Sequence, residues 1–175
     1  MILKTNWIFK GERMIKKAGN NDLETLAKLA SEMWHNHSIN ELINEFSEIM
    51  INGNHSVEEL NNEFSDLFMK EEAQFFLKYE NDIPVGFAQC QLRYDYVEGT
   101  STSPVGYLEG IFVKESYRSK GYAKELLTEC EVWAKGNGCQ EFASDCEIDN
   151  INSLHFHKAM NFTEANRIIC FTKLL

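Results

Sequence analysis

The sequence predicts one domain of the mixed α/β class, and three observations carry that expectation. Apolar residues recur at helical spacing through the N-terminal third. A central run, "AQFFLKYENDIPVGFAQCQLRYDY", reads as two strands joined at "END", a hairpin. The C-terminal half then alternates strands and helices across short connections. A length of 175 residues suits one domain with a sizeable core. We expect residues 14–175 to form it, because "MIKKAG" reads as a first strand leading into the first helix. Residues 1–13 are then an N-terminal extension or an alternative start.

Each element follows from its local pattern. "NNDLETLAKLASEMW" sets Leu23, Leu26, Ala27, Ala30, Met33 and Trp34 on one helical face, with Asp22 as N-cap. "INELINEFSEIM" repeats that period until Gly53 breaks it, and Ser56 with Glu59 forms a capping box opening "VEELNNEFSDLF". After the hairpin, "VEGTSTSPVG" is a loop and Tyr107–Val113 a third strand. Lys120–Lys135 is helical and "GNG" ends it. "EFASDC" is a short strand, Asn152–Met160 a short helix, and "RIICFTKLL" a final strand.

Composition narrows the function. At 43% hydrophobic and 25% charged residues, the chain has the make-up of a soluble globular protein. It holds no apolar run near the roughly 18–20 residues that span a bilayer, so no membrane partner is expected. The stretch "MILKTNWIFKGER" has neither a signal-peptide core nor a small-residue cleavage site, which points to the cytoplasm. A net charge of −10, from 27 acidic and 17 basic residues, argues against nucleic acid and suits a cationic small substrate. Five cysteines without a CxxC pair do not make a disulfide framework, and most of them read as buried small hydrophobes. His35/His37 and His155/His157 have no matching cysteine or carboxylate grid, so no metal is expected.

The stretch "YLEGIFVKESYRSKGYAKELL" carries the chemistry. Period-2 alternation puts Tyr107, Glu109, Ile111 and Val113 on one face, and Leu108, Gly110 and Phe112 on the other. Gly110 inside an apolar strand suggests a bulge or a close backbone approach. Glu109, flanked by Leu108 and Ile111, is costly to bury without a partner, so it is a buried ion-pair member or lies at an exposed strand end. Arg118, Ser119, Lys120, Gly121, Tyr122 and Ala123 then feed a helix N-terminus. Such a turn aims backbone N–H groups and the positive end of the helix dipole outward. Gly121 and Ala123 keep that backbone open, and Arg118 and Lys120 add charge. This is an anion cradle, and it matches neither GxxxxGK[ST] nor GxGxxG.

Placed between an apolar strand and an amphipathic helix, this RxxGxA turn resembles the acetyl-CoA motif of the GNAT superfamily of N-acetyltransferases. The second unit of that superfamily is matched by Asn150 beyond "EFASDC" and by the helix "NSLHFHKAMNF". The likeness runs from about Gln74 onward. "RYDYVEGTSTSPVGYLEGIFV", "VWAKGNGCQEFASD", "FHKAMNF" and "MWHNH" are similar to the aminoglycoside 6'-N-acetyltransferase branch.

The resemblance implies a GNAT fold: a central, mostly antiparallel twisted sheet flanked by helices, with a CoA-binding strand–turn–helix. It implies acetyl-CoA as cosubstrate, no metal, direct transfer to the 6'-amine of an aminoglycoside, and a homodimer. It assigns the acceptor side to Trp34, His37, Tyr96, Glu109, Asp145 and Asn166. On the cofactor side it assigns the backbone of Ile111, Phe112 and Val113, the cradle from Arg118 to Ala123, and Asn150. His157 stands where many members carry a Tyr that protonates the departing thiolate, and a CoA contact is the role we expect of it. Asn161 replaces the usual Gly before Phe162. The residues themselves suit amine acetylation: Glu109 or Asp145 would hold a cationic amine and take its proton, and N–H groups of Gly110–Val113 would polarise the thioester carbonyl. Two other readings stay open: a GNAT enzyme for another small amine or a protein N-terminus, and a non-catalytic acyl-CoA sensor.

Overall fold

The computed structural model describes residues 7–10, 13–44 and 57–174; of residues 7–10, 13, 35–44, 57 and 59 only the backbone is described. The expected break at Gly53 and the capping box at Ser56 and Glu59 lie outside the described residues. Six strands form one sheet in chain order: β1 (Trp7–Lys10), β2 (Arg13–Lys17), β3 (Ala73–Glu80), β4 (Ile83–Arg93), β5 (Val105–Val113) and β6 (Phe142–Ser144). All neighbours are antiparallel except β5 and β6, which run parallel. The helices are α1 (Leu23–Asn44), α2 (Val57–Phe68), α3 (Tyr122–Gly136) and α4 (Ile151–Ala159). This is the mixed α/β, mostly antiparallel architecture that the sequence predicts. Trp7–Lys10, within the stretch set apart as an extension, adds the edge strand β1 beside β2.

The hairpin closes where "END" was read. Asn81 and Asp82 have φ of 51° and 61°, as a two-residue turn matched to strand twist requires. Alternation along β3 then divides the core. Phe75 and Leu77 pack with Leu26, Leu29 and Phe64 of α1 and α2. Phe76 packs on the opposite face with Val85, Cys90, Tyr122, Leu126 and Cys130, beneath α3.

Lys78 continues that second face and is fully buried. A buried ammonium needs a counter-charge. Glu125, in the first turn of α3, supplies it at 2.6 Å, and the ring of Tyr122 lies 4.7 Å from the ammonium. The helix behind the basic turn is thereby fastened to the middle of the sheet.

Two local expectations change. Asp22 ends a short 3-10 turn, Asn20–Asp22, and its carboxylate accepts from the Gly19 N–H at 2.9 Å and from Lys16 at 2.6 Å. It therefore closes the turn that precedes α1. The final strand is also absent: residues 163–174 run extended or irregular, without a ladder. Ile169, Phe171 and Leu174 are 76%, 91% and 97% exposed. The pattern is strand-like, but β6 is only three residues long and gives a nine-residue strand too little to pair with.

Candidate active site

The site begins with a register shift. Gln89 pairs with Gly110 and Cys90 with Leu108, so Glu109 is the extra residue of a β-bulge in β5. The bulge suggested by Gly110 thus falls one residue earlier, and it overturns strict alternation along the strand. Leu108, Ile111 and Val113 pack on the α3 face. Gly110 and Phe112 turn toward α1 and α2, together with Glu109.

At the same place β5 and β6 separate. Their parallel ladder runs from Gly106↔Phe142 to Leu108↔Ser144 and stops. From Glu109 to Val113, β5 has no strand neighbour on that side among the described residues. Backbone amides along such an edge can pair with an extended, amide-bearing ligand. Ile111, Phe112 and Val113 lie on that edge.

Beyond β5 a short turn, Glu115–Tyr117, leads into Arg118–Gly121 and α3. Gly121 is the N-cap with φ 83°, and a Cβ built on it would meet nothing within 4 Å. Packing does not demand glycine here; the left-handed backbone does, and the open space lets an anion approach. The first intrahelical bond runs from Glu125 N to Gly121 O, so the N–H groups of Tyr122, Ala123 and Lys124 face out of the helix end. The basic side chains are engaged nearby. Arg118 Nε donates to the Val113 carbonyl at 3.1 Å. Lys120 lies 3.0 Å from Glu80, whose carboxylate also accepts from the Tyr122 hydroxyl. Tyr122 itself is a core side chain, 1% exposed. The turn fits a pyrophosphate chiefly through its backbone.

On the other side of the bulge, α1, α2, β4 and β5 enclose a cavity of about 500 Å³. Trp34 and Met33 line it from α1, and Glu109 and Gly110 from β5. Glu63 and Asp66 on α2, with Gln89 and Gln91 on β4, add four polar side chains to its wall, and Lys70 just beyond α2 lines it too. None of these four was singled out from the sequence. The polar members of "AQCQLR", alternating within an apolar strand, were the signal that could have found the glutamines.

Glu109 is exposed and paired. Arg93 Nε and Nη2 donate to its Oε1 at 3.1 and 3.0 Å, and Nη2 to its Oε2 at 2.9 Å. The guanidinium lies over the Tyr107 ring, 3.3 Å from the ring centre. Tyr107 in turn donates its hydroxyl to Asp145 Oδ1 at 2.9 Å. Burial, and then the Asp145 carboxylate, hold the Tyr107 phenol above its ordinary pKa. Glu109 and Asp145 are thus the two ends of one chain of contacts through Arg93 and Tyr107, although 36 residues separate them in sequence.

Other expected residues fall as follows. His37 lies on α1, and its side chain is outside the described residues. Tyr96 is 82% exposed on the loop before β5 and donates to Glu98. Asn166 is exposed, one residue after Ala165, which lies against Gly99 of that loop. Neither Tyr96 nor Asn166 lines the cavity. Asn150 caps α4, accepting from Ser153 N at 3.0 Å.

His157 faces inward. Its Nδ1 is 2.7 Å from the Ser153 carbonyl, which can only accept, so Nδ1 carries the proton. Nε2 meets the Ser144 hydroxyl at 2.9 Å, and that hydroxyl is also 3.1 Å from the Leu108 carbonyl. His157 therefore ties α4 to the last rung of the β5–β6 ladder. Cys90 and Cys130 are buried, and burial raises the Cys130 thiol well above its ordinary pKa, which disfavours the nucleophilic thiolate. Among the described residues no cluster of three His, Cys, Asp or Glu is placed to hold a metal ion.

The fork, the open helix N-terminus and a cavity lined by Glu63, Asp66, Lys70 and Glu109 meet along β5, an arrangement with room for two substrates. Residues 26–162 match the model of the Acetyltransferase (GNAT) family, and the chain belongs to that family. It is 39% identical over 107 residues to an aminoglycoside N(6')-acetyltransferase type 1 of Acinetobacter haemolyticus, covering 61% of this chain and 74% of that one. A protein of the same name from Serratia marcescens is 45% identical over 91 residues, covering 52% of this chain and 62% of that one. Among solved structures, AAC(6')-Iy in complex with the bisubstrate analog CoA-S-monomethyl-acetylneamine superposes with a TM-score of 0.78. It has 29% identity, over 93% of this chain and 99% of that one. Apo AAC(6')-IG from Acinetobacter haemolyticus gives a TM-score of 0.76 at 31% identity, over 92% and 98% of the two chains.

Proposed function

We propose that this chain is an aminoglycoside 6'-N-acetyltransferase, moving acetyl from acetyl-CoA directly to the 6'-amine of aminoglycoside antibiotics and so conferring resistance to them. The observation that carries this reading is the fork itself: β5 and β6 part at Leu108, Glu109 stands on the bulge there, and the α3 N-terminus lies at the far end of β5. The names of the relatives, and the bisubstrate analog held by the AAC(6')-Iy structure, support the same pair of substrates.

In this reading the cosubstrate brings an activated thioester, and the protein positions it. The backbone of Ile111, Phe112 and Val113 pairs with the pantetheine arm, and the turn from Arg118 to Ala123 takes the pyrophosphate. The acceptor arrives as a polycation, drawn by the net charge of −10 and by Glu63 and Asp66. Trp34 offers a flat apolar wall to a sugar ring. Glu109 takes the proton that the attacking ammonium must lose, directly or through water. Asp145, fixed by Tyr107, holds a neighbouring ammonium. Asn150 and His157 shape the CoA side through α4.

No described helix is long and apolar enough to cross a membrane. We place the enzyme in the cytoplasm, with its acetyl-CoA, as a single catalytic domain that includes the edge strand β1 along with residues 14–175. The reading includes a homodimer. Support comes from the exposed apolar run Ile168–Leu174 and from the outer edge of β6, which no described strand covers. A second copy would shield both, and light scattering at twice the monomer mass is the expected result.

The test is thiol release from acetyl-CoA with tobramycin, kanamycin A, a 6'-hydroxyl aminoglycoside and spermidine. Release is expected with the two 6'-amino drugs only. Activity with spermidine alone would move the enzyme to another amine, and CoA binding without any transfer would make the chain a sensor.

A further inference from the structure

The Arg93–Glu109 pair sets a condition on the acceptor. Glu109 reaches the cavity wall already holding a cation, clamped through three contacts of 2.9–3.1 Å. The clamp comes from the end of β4. Arg93 pairs with Val105 in the ladder, so its side chain must run along β5, across Tyr107, to reach the bulge. Val105, Tyr107 and Glu109 alternate onto one face of β5, opposite Leu108, and that shared face makes the reach possible. An acceptor ammonium approaching Glu109 therefore meets a competitor built into the protein.

We propose that Arg93 acts as a resident counter-ion that sets a charge threshold for acceptors, yielding Glu109 to polycations and withholding it from single amines. This inference rests on the acetyltransferase reading of the Glu109 site. The pair is exposed, and an exposed ion pair is weak enough for a ligand to displace. A single ammonium offers one point charge against a bidentate, ring-stacked guanidinium and gains little by exchange. A polycation engages Glu63 and Asp66 on α2 as well, which outnumber the neighbouring Lys70, and those contacts favour it before Glu109 changes partner. Arg93 is thus a specificity-determining residue acting through Glu109, and it rejects small amines by competition.

The experiment compares wild type with Arg93→Gln and Arg93→Lys, using tobramycin as polycation and 6-amino-6-deoxyglucose as monoamine. Arg93→Gln should lower KM for the monoamine about fivefold, the ratio that an exposed pair is worth, and KM for tobramycin less, with kcat within about twofold. Arg93→Lys, which restores the charge, should bring the monoamine KM back toward wild type. A fall in kcat of about tenfold at unchanged KM would overturn the proposal, because Arg93 would then be orienting Glu109. A second readout needs no turnover: the Arg93 Nε–H resonance of the wild-type protein, titrated with paromomycin, whose 6' position is a hydroxyl. It should shift as the drug binds, and a resonance that stays in place at saturation overturns the proposal. If neither wild type nor variant acetylates tobramycin, the function assigned to the site fails, and the Nε–H titration still decides the role of Arg93.

Discussion

The two halves of the site are built from different parts of the polypeptide. The cofactor half is backbone: an open strand edge, a left-handed glycine and a helix end. Its basic side chains, Arg118 and Lys120, are occupied by Val113 and Glu80. The acceptor half is side chains: Glu109, Arg93, Tyr107 and Asp145 in series, of which Glu109 lines the cavity that Glu63 and Asp66 of α2 also line. The difference teaches where each half is vulnerable. A backbone site fails when its scaffold moves or its approach is blocked, whereas a side-chain site fails when one group loses its charge.

The largest effect should come from the scaffold. Glu125→Ala strands the fully buried Lys78 ammonium and should cost about 3 kcal/mol of unfolding free energy, read from urea denaturation. Replacing both partners by apolar residues, Lys78→Met with Glu125→Leu, should recover most of it. A loss below about 1 kcal/mol for Glu125→Ala would mean that α3 is held by apolar packing alone.

Next comes the acceptor half. Glu109→Gln keeps the shape and removes the charge, so kcat/KM for tobramycin should fall about a hundredfold, with CoA affinity within about twofold. Gly121→Val tests the opposite half. Valine is strained at φ 83° and its methyl groups would enter the open space, so the CoA dissociation constant should rise about tenfold, with little change in aminoglycoside affinity. Equal loss of CoA affinity in both variants would erase the division between the halves.

The smallest effect concerns pH. The Glu141 carboxylate accepts from the Thr102 hydroxyl and from the Ser101 and Thr102 N–H groups, which hold its pKa below the ordinary value. A depressed carboxylate stabilises the fold above its unfolded pKa, and that contribution is lost as pH falls through the folded one. The protection factors of the Ser101 and Thr102 amides, which correct for the intrinsic rate, should therefore fall on acidification below about pH 4, ahead of those in β4 and β5. Unchanged protection at the two residues would leave Glu141 without a part in ordering that loop.

The cofactor half was readable in sequence because it depends on local order. Strand, basic turn, glycine and amphipathic helix are consecutive, and the short-range rules for each apply directly. Glu109 was also readable, as a charge out of place in an apolar strand. Its partner was not, because Arg93 meets it only through the β4–β5 register, which also carries the bulge. Period-2 alternation failed at that bulge for the same reason: one extra residue reverses every face beyond it. Glu63 and Asp66 resemble any solvated helix face until α2 is docked over the cavity. The run "RIICFTKLL" shows the converse error, since a strand pattern specifies a strand only when an edge is available to receive it.

The sheet order has a consequence for biosynthesis. Strands β1 to β5 lie side by side in the sequence in which the ribosome delivers them, each antiparallel to the last. Only β6 needs a crossover, through α3, to reach its place. A nascent chain can therefore raise the drug-facing wall while its donor-binding half is still in the exit tunnel. The last thing it acquires is the fork between β5 and β6, the place proposed for acetyl-CoA.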